Sequence, residues 1–188
     1  MTRSRLAIPV ASVVLMAVAG ACSSGPEPRL GPSQSPSPST GEVSPVPDAR
    51  PAMPSAVHGK GGPAARAFVR FWLRTLNYAI ESGDSAALGA ISSSPCKECG
   101  RIVKTIDDIY GRGGQLSGGT WRVTSLRPLP ADRGADWAGY VTAAVSEQKL
   151  TEPGDGKDRT YDAGRGYMYT YAAKHRDSWR LVWMHISL

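Results

Sequence analysis

Two cysteines three positions apart are the residues of this chain with the clearest capacity for chemistry. Cys96 and Cys99 form a C-x-x-C spacing within the stretch SPCKECGRIV. Such a pair can supply two of the four ligands of a structural zinc site. The remaining candidate ligands, His58, His175 and His185, match no common finger spacing, and no second cysteine pair exists. The sequence therefore predicts no metal site.

The residues before the pair favour a structural disulfide over redox exchange. Thioredoxin-like pairs follow a β-strand, whereas a predicted helix and a serine run precede Cys96. The first helical turn would still favour a thiolate at Cys96, so a thiol–disulfide exchanger stays open as an alternative. The N-terminus carries an export signal, and exported domains meet an oxidising environment. We therefore expect a disulfide between Cys96 and Cys99 at the start of a helix.

A histidine among aromatic residues is the weak candidate for acid–base catalysis. Alternation along the last predicted strand places Trp179, Leu181, Trp183 and His185 on one face. An isomerase- or dehydratase-type enzyme would need His185 in an open pocket. The residues predicted to line such a pocket are Trp72, Tyr167, Tyr169 and Trp183. No carboxylate lies on an apolar strand face to partner the histidine, and no Ser-His-Asp order, phosphate loop or HExxH motif occurs. Catalysis is left open, and a non-catalytic role is favoured.

The N-terminal residues predict a lipoprotein export signal. Arg3 and Arg5 precede an apolar stretch that is too short to span a membrane. The sequence Ala19-Gly20-Ala21-Cys22 then resembles the bacterial lipobox, although the usual motif has Leu three residues before the cysteine. We predict a signal peptide over 1–21 and acyl chains of the palmitate type on Cys22. Two chains together anchor a protein stably, whereas one chain does so only marginally.

Residues 22–63 are predicted to form a disordered linker. The segment from Ser23 to Pro63 holds ten prolines, many Ser and Gly, and few large aliphatic residues. It cannot bury enough apolar surface to offset the entropy of ordering. Residues 64–188 then have the length of one domain.

The charge distribution gives no reason to expect nucleic acid as a partner. The whole chain carries a formal charge of +6, and residues 64–188 hold 17 basic and 13 acidic residues. The basic residues are not clustered, apart from Arg66, Arg70 and Arg74 along one predicted helix. A nucleic-acid-binding domain usually shows a larger basic patch. We interpret this short stripe as a solvated helix face.

Hydrophobic periodicity changes once along the domain. A period of 3.6 predicts a long helix from Ala64, with Gly83 at its end, then a short helix over 85–91 and a third helix from Pro95 to Gly111, capped by Ser94. Alternation then predicts four strands, over 120–129, 136–150, 167–175 and 179–188. Short links between strands imply an antiparallel meander. The predicted class is α+β, with three N-terminal helices packed on one face of a curved four-stranded sheet.

Three stretches of the domain carry a resemblance. FWLRTLNYAIESGD, SPCKECGRIV and GGTWRVTSL, behind a lipobox and a Pro/Ser linker, resemble actinobacterial lipoproteins of domain-of-unknown-function family 6318. The order of helices and strands resembles the cystatin-like cone, also called the nuclear transport factor two-like or SnoaL-like fold. This resemblance implies location and architecture and no particular activity, because that fold hosts enzymes and binding modules alike.

The combined expectation is a lipid-anchored protein on the extracytoplasmic face of the cell membrane. Its domain would be a non-catalytic ligand- or protein-binding module of the cell envelope. The expected partners are the membrane, through the N-terminal lipid, and an envelope protein or wall polymer. No cofactor is predicted.

Overall fold

The computed structural model describes residues 49–132, 134–153, 158–175 and 177–188. The predicted signal peptide over 1–21 and the lipidation site Cys22 lie outside these residues. The described chain begins with a short 3₁₀ helix, Ser55–His58. Three α-helices follow: α1 Gly61–Ser82, α2 Ala86–Ala90 and α3 Lys97–Gly111. Within the described residues, no helix is both long and apolar enough to cross a membrane.

Seven strands form two antiparallel sheets. The strands are β1 Gln115–Gly118, β2 Trp121–Leu129, β3 Trp137–Val145, β4 Gln148–Thr151, β5 Arg159–Tyr161, β6 Gly164–His175 and β7 Ser178–Ser187. The larger sheet has the order β2-β3-β6-β7, and the smaller has the order β1-β4-β5. The α+β class and the four-stranded antiparallel meander are therefore confirmed.

The apolar stripe of α1 packs on one face of the larger sheet. Phe68 and Trp72 are fully buried, as are Met168 and Leu181 on the strands below them. The ring of Phe68 stacks on Trp179, with centroids 6.5 Å apart. Side chains of the helix and of the sheet thus occupy the space that an open cone would leave for a ligand.

Two polar clamps join the C-terminal end of α1 to the strands. The side chain of Asn77 donates to the carbonyl of Trp121 at 3.0 Å and accepts from its N–H at 2.9 Å. The Tyr110 hydroxyl on α3 lies within hydrogen-bond distance of the carbonyls of Ile80, Glu81 and Leu116. Partial burial raises the pKa of this hydroxyl. Together the clamps fix where β1 and β2 leave the helical layer.

The smaller sheet is the main feature that the sequence pattern did not predict. The expected strand over 136–150 is divided between β3 and β4, and the smaller sheet takes β4. Ser146 and Glu147 separate the two strands. The Glu147 carbonyl accepts a hydrogen bond from the Gly119 N–H at 2.9 Å. Arg159–Tyr161, which lies outside the four predicted strands, also pairs with β4.

The predicted domain boundary at Ala64 lies too far along the chain. Val57 is buried in the core, and α1 begins at Gly61. Arg50 pairs with Asp84 at 2.6 Å. Residues 49–63 are therefore part of the domain rather than of a disordered linker. The physical reason is that a short proline-rich segment can join the domain through one buried side chain, here Val57 of the 3₁₀ helix.

We expect Gly83→Ala to destabilise the domain by about 2 kcal/mol or more. Gly83 ends α1 with φ near 75°, which costs an L-residue roughly 1 kcal/mol. A Cβ there would also lie 2.5 Å from the ring of Tyr110, so overpacking adds to the loss. Urea unfolding measures the difference.

Gly89→Ala is the matched control. Gly89 lies within α2, and a Cβ there meets no atom within 4 Å. Alanine should leave the free energy of unfolding unchanged or raise it by roughly 0.5–1 kcal/mol. Equal losses in the two variants would contradict the assigned helix end.

Candidate binding face on the outer side of the sheet

The larger sheet has an inner face against α1 and an outer face on the opposite side. Along β3 and β6, Val141, Met168 and Thr170 are buried on the inner face. Their neighbours in sequence point the other way, because side chains alternate along a strand. Within the described chain, α1 contacts β2, β3 and β7 of the larger sheet, and α3 contacts its edge strand β7.

A β-bulge in β7 divides the residues that were predicted to share one face. Tyr171 pairs with Trp183, whereas the next residue, Ala172, pairs with Leu181. The extra residue, Val182, shifts the alternation by one position. Trp179 and Leu181 therefore face the core, and Trp183 and His185 lie on the outer face. Met184 takes the inner position instead, where it is buried.

Five aromatic rings cluster on the outer face. Tyr140 and Tyr169 are paired across strands with ring centroids 4.7 Å apart, and Tyr140 and Tyr167 are 6.1 Å apart. Tyr171 meets Trp183 edge-on at 5.2 Å. Tyr169 is 48% exposed and Trp183 is 36% exposed. Neighbouring apolar side chains that stay accessible in this way indicate an interaction surface.

Three arginines on β2 and β6 lie beside these rings on the outer face. Arg127 pairs with Tyr140 across strands, and Arg122 and Arg165 both pair with Ala144. Partial burial and the neighbouring Tyr169 and Tyr167 raise the pKa of the Tyr140 hydroxyl, while Arg127 opposes this shift. None of the three arginines forms an ion pair with another described residue.

Acidic residues are missing from all four strands of the larger sheet. β2, β3, β6 and β7 contain no Asp or Glu. On α3, beside β7, the pKa of Glu98 is lowered by hydrogen bonding to Arg101 and, more weakly, by the charge of His185. The outer face thus combines aromatic rings with unpaired positive charge.

The predicted pocket residues do not line one pocket. Tyr167, Tyr169 and Trp183 come together on the outer face, and His185 joins them as the cross-strand partner of Tyr169. Trp72 lies on the other side of the sheet, fully buried, and donates from Nε1 to the Ser92 hydroxyl at 3.0 Å. The prediction assumed one continuous alternation along β7, which misplaced Trp183 and His185, and it assigned Tyr167 and Tyr169 to the inner face of β6, although they occupy its outward positions.

Cys96 and Cys99 form the predicted disulfide, with Cα atoms 5.3 Å apart. Both cysteines are buried. α3 begins two residues later than predicted, with Cys96 as its N-cap in place of Ser94. The Cys96 Sγ accepts from the N–H of Cys99 at 3.3 Å. The pair therefore closes the first turn of α3.

In the residues that the structure describes, the elements form an α+β domain in which α1 covers one side of the larger antiparallel sheet. The chain belongs to a family of unknown function (DUF6318), whose model matches residues 36–185. This confirms the family that the sequence resembles. No match was found among curated protein sequences.

Several solved structures share the general arrangement at low identity. One is an uncharacterized protein with a cystatin-like fold from Caulobacter vibrioides, at 12% identity and a TM-score of 0.45, covering 69% of this chain and 89% of that one. Another is the intermembrane space region of the chloroplast protein ARC6, at 12% identity and a TM-score of 0.48, covering 68% and 97%. A third is an NTF2-like protein with a cystatin-like fold from Novosphingobium aromaticivorans, at 12% identity and a TM-score of 0.39, covering 65% and 80%.

Sequence reasoning missed Tyr140 and the arginines of the outer face. The available signal was composition along the strands: Arg122 and Arg127 alternate with apolar residues, and no acid balances them. Tyr140 lies at an outward position of a strand that is otherwise buried. They were not predicted because the expected site was a pocket inside the fold, whereas these residues occupy outward positions.

Because of the bulge, alanine should lower the free energy of unfolding much more at Trp179 than at Trp183. Trp179 is 2% exposed, so Trp179→Ala should lower the free energy of unfolding by about 3–5 kcal/mol. Trp183→Ala should cost less than about 1.5 kcal/mol, mainly through its lost ring contact with Tyr171. Denaturant unfolding of both variants measures this. If Trp179→Ala does not fold, Trp179→Phe provides the comparison, and equal losses at 179 and 183 would place both rings in the core.

Proposed function

We propose that this protein is a non-catalytic protein-binding module of the cell envelope. In this proposal, lipid on Cys22 holds it at the extracytoplasmic face of the membrane. The partner docks on the outer face of the larger sheet. The observation that carries the proposal is the cluster of accessible aromatic rings, flanked by three arginines that form no ion pair with a described residue, on four strands without acidic residues.

The composition of the outer face is that of a protein interface. Tyr, Trp and Arg are enriched at the centres of such interfaces, and Lys, Asp and Glu are depleted. Lys174 is the single lysine of the four strands, and its Nζ is held on the domain itself, within 3.0 Å of the Gly59 carbonyl. The rings are already positioned by strand pairing, so little side-chain entropy is lost when they are covered.

Charge favours an acidic protein surface as the partner. A second copy of this chain, docked face to face about a two-fold axis, would bring the same arginines together without a carboxylate from the four strands to separate them. An acidic surface would instead pair with Arg122, Arg127 and Arg165. Those guanidiniums can bind carboxylates in a bidentate manner.

The ring geometry favours a protein over a wall polymer. Tyr140 and Tyr169 are tilted by 48°, and Tyr171 and Trp183 by 77°. The rings therefore offer both faces and edges rather than one flat platform for stacked sugar rings. Such an uneven apolar surface fits the side chains of a folded partner.

The positions of His185 and the cysteines support a non-catalytic role. His185 lies exposed on the outer face, as the cross-strand partner of Tyr169. The disulfide of Cys96 and Cys99 is buried, whereas exchange requires an accessible sulfur. The geometry thus favours neither of the two catalytic alternatives.

Cys22→Ser should release the protein from membranes. The wild-type chain should partition into the detergent phase and carry the mass of its acyl chains, because two chains provide stable anchoring. The variant should appear in the aqueous fraction without that mass. Phase partition followed by intact-mass spectrometry measures both properties. A wild-type protein without added lipid mass, or a variant still bound to membranes, would overturn the proposed anchor.

A photo-crosslinking residue in place of Tyr169 should capture a partner protein in cells that produce this chain natively. The same residue in place of Arg70, which is exposed on α1, should not capture that partner. Arg127→Glu should reduce the adduct at position 169 about tenfold or more, because the reversal repels an acidic surface. Arg70→Glu makes the same change in net charge on the helical side and should leave the adduct unchanged.

Mass spectrometry of the adduct decides the outcome. An acidic protein whose capture depends on Arg127 supports the proposal, and its affinity for the full chain should fall as salt is added. A dimer of this chain, a crosslinked wall polymer, no adduct, or equal loss with Arg127→Glu and Arg70→Glu would each overturn it.

A further inference from the structure

We infer that a cavity at the C-terminal end of α1 is a binding site for a small, neutral, cyclic apolar compound. The cavity has a volume of about 340 Å³. It lies where the last turn of α1 meets the start of β2, the end of β3 and the start of β6. This site shares Arg165 with the outer face, but none of the five aromatic rings of that face lines it, and the inference does not depend on the proposed protein partner.

Glycines create the space. Gly119 and Gly164 line the cavity without side chains. The indole of Trp121 lies against Gly166, where a Cβ would come within 2.6 Å of its ring carbons. Any larger residue at position 166 would therefore push the indole into the cavity.

Hydrogen bonds hold the main wall in place before any ligand arrives. The backbone of Trp121 is clamped by the Asn77 amide on α1, and the Trp121 side chain is nearly buried. Ile80 extends from the same helix into the lining, and Val145 faces it from β3. A wall that is already ordered loses little entropy on binding.

The lining defines the chemistry of the ligand. Aliphatic and aromatic side chains form most of the surface: Ile80, Trp121, Val145, Tyr161 and Leu188. Four polar side chains complete the lining, Ser146, Gln148, Asp162 and Arg165, and their formal charges sum to zero. These features favour a neutral, largely apolar molecule that carries a hydrogen-bonding group.

The volume sets the size of the ligand. An apolar cavity of about 150 Å³ holds one benzene molecule. A cavity of 340 Å³ therefore fits a compound of about two six-membered rings. A rigid ring system suits this site better than a flexible chain, because the chain loses rotational freedom on binding.

The test uses 2-naphthol as the probe and the full-length chain carrying Cys22→Ser, which remains in solution under the proposed anchor. Saturable NMR shifts are expected at the Trp121 indole N–H and at the methyl groups of Ile80 and Val145, with a dissociation constant below about 1 mM. 1-Octanol, a flexible chain of similar polarity, should bind about threefold more weakly or worse.

Two variants probe the walls. Val145→Phe fills the cavity and should weaken 2-naphthol binding about tenfold or more, while Val182→Phe makes the same change in size on β7 and should have no effect. Tyr161→Ala removes an exposed ring from the wall and should weaken binding about threefold. Because Tyr161 is 49% exposed, this variant should fold even if Val145→Phe does not.

The expected pattern is binding at Trp121 that both wall variants weaken. Shifts confined to Tyr169 and Trp183 would show that the probe binds the outer face. That result, the absence of saturable shifts at about 1 mM, an octanol affinity equal to that of 2-naphthol, or an unchanged affinity in Tyr161→Ala would overturn the inference. None of these outcomes bears on the acidic partner of the outer face, which is measured by crosslinking.

Discussion

The burial of the α1 stripe against the inner face of the larger sheet is the contact on which the rest of the structure depends. Phe68 and Trp72 are fully buried there, together with Met168 and Leu181. Each such side chain contributes about 1.5–3 kcal/mol through the apolar surface it removes from water. This packing orders the helix and fills the space on one side of the sheet with side chains. The parts of the larger sheet that remain accessible are consequently its other side and its end.

Polar contacts decide how the remaining pieces attach to that core. The Asn77 amide satisfies both backbone groups of Trp121 at the entry to β2. The Tyr110 hydroxyl bridges carbonyls from α1 and from β1. These bonds connect sequence-distant segments in directions that apolar packing alone does not specify. The smaller sheet and the space beside Trp121 are consequences of them.

Helices were predictable because their periodicity is local. The stripe of Phe68, Trp72 and Leu76 repeats every 3.6 residues, and Gly83 ends it. β7 was harder, because one extra residue at Val182 reverses the side on which every later residue lies. Nothing in the local pattern distinguishes Trp179 from Trp183, and only the partner strand does so. The candidate aromatic residues were thus recognised by type and assigned to the wrong side.

The smaller sheet escaped prediction for a related reason. β1 and β5 have four and three residues, too few for an alternation to be seen. Both lie among glycines and charged residues that are typical of turns. Their pairing partner β4 follows β3 after two residues, so the sequence reads as one strand. Long-range hydrogen bonding creates these elements, and local composition does not reveal it.

The course of residues 49–60 has a mechanical consequence. Arg50 is bonded to Asp84 at the end of α1, and the carbonyls of His58 and Gly59 are held by Lys174 near its beginning. The segment therefore runs back along a helix that is about 33 Å long. Tension applied through the preceding residues reaches the Arg50 pair first, then the buried Val57, and only afterwards the Lys174 contacts. These attachments can yield one after another, so a pull on the N-terminal side is absorbed before it strains the sheet.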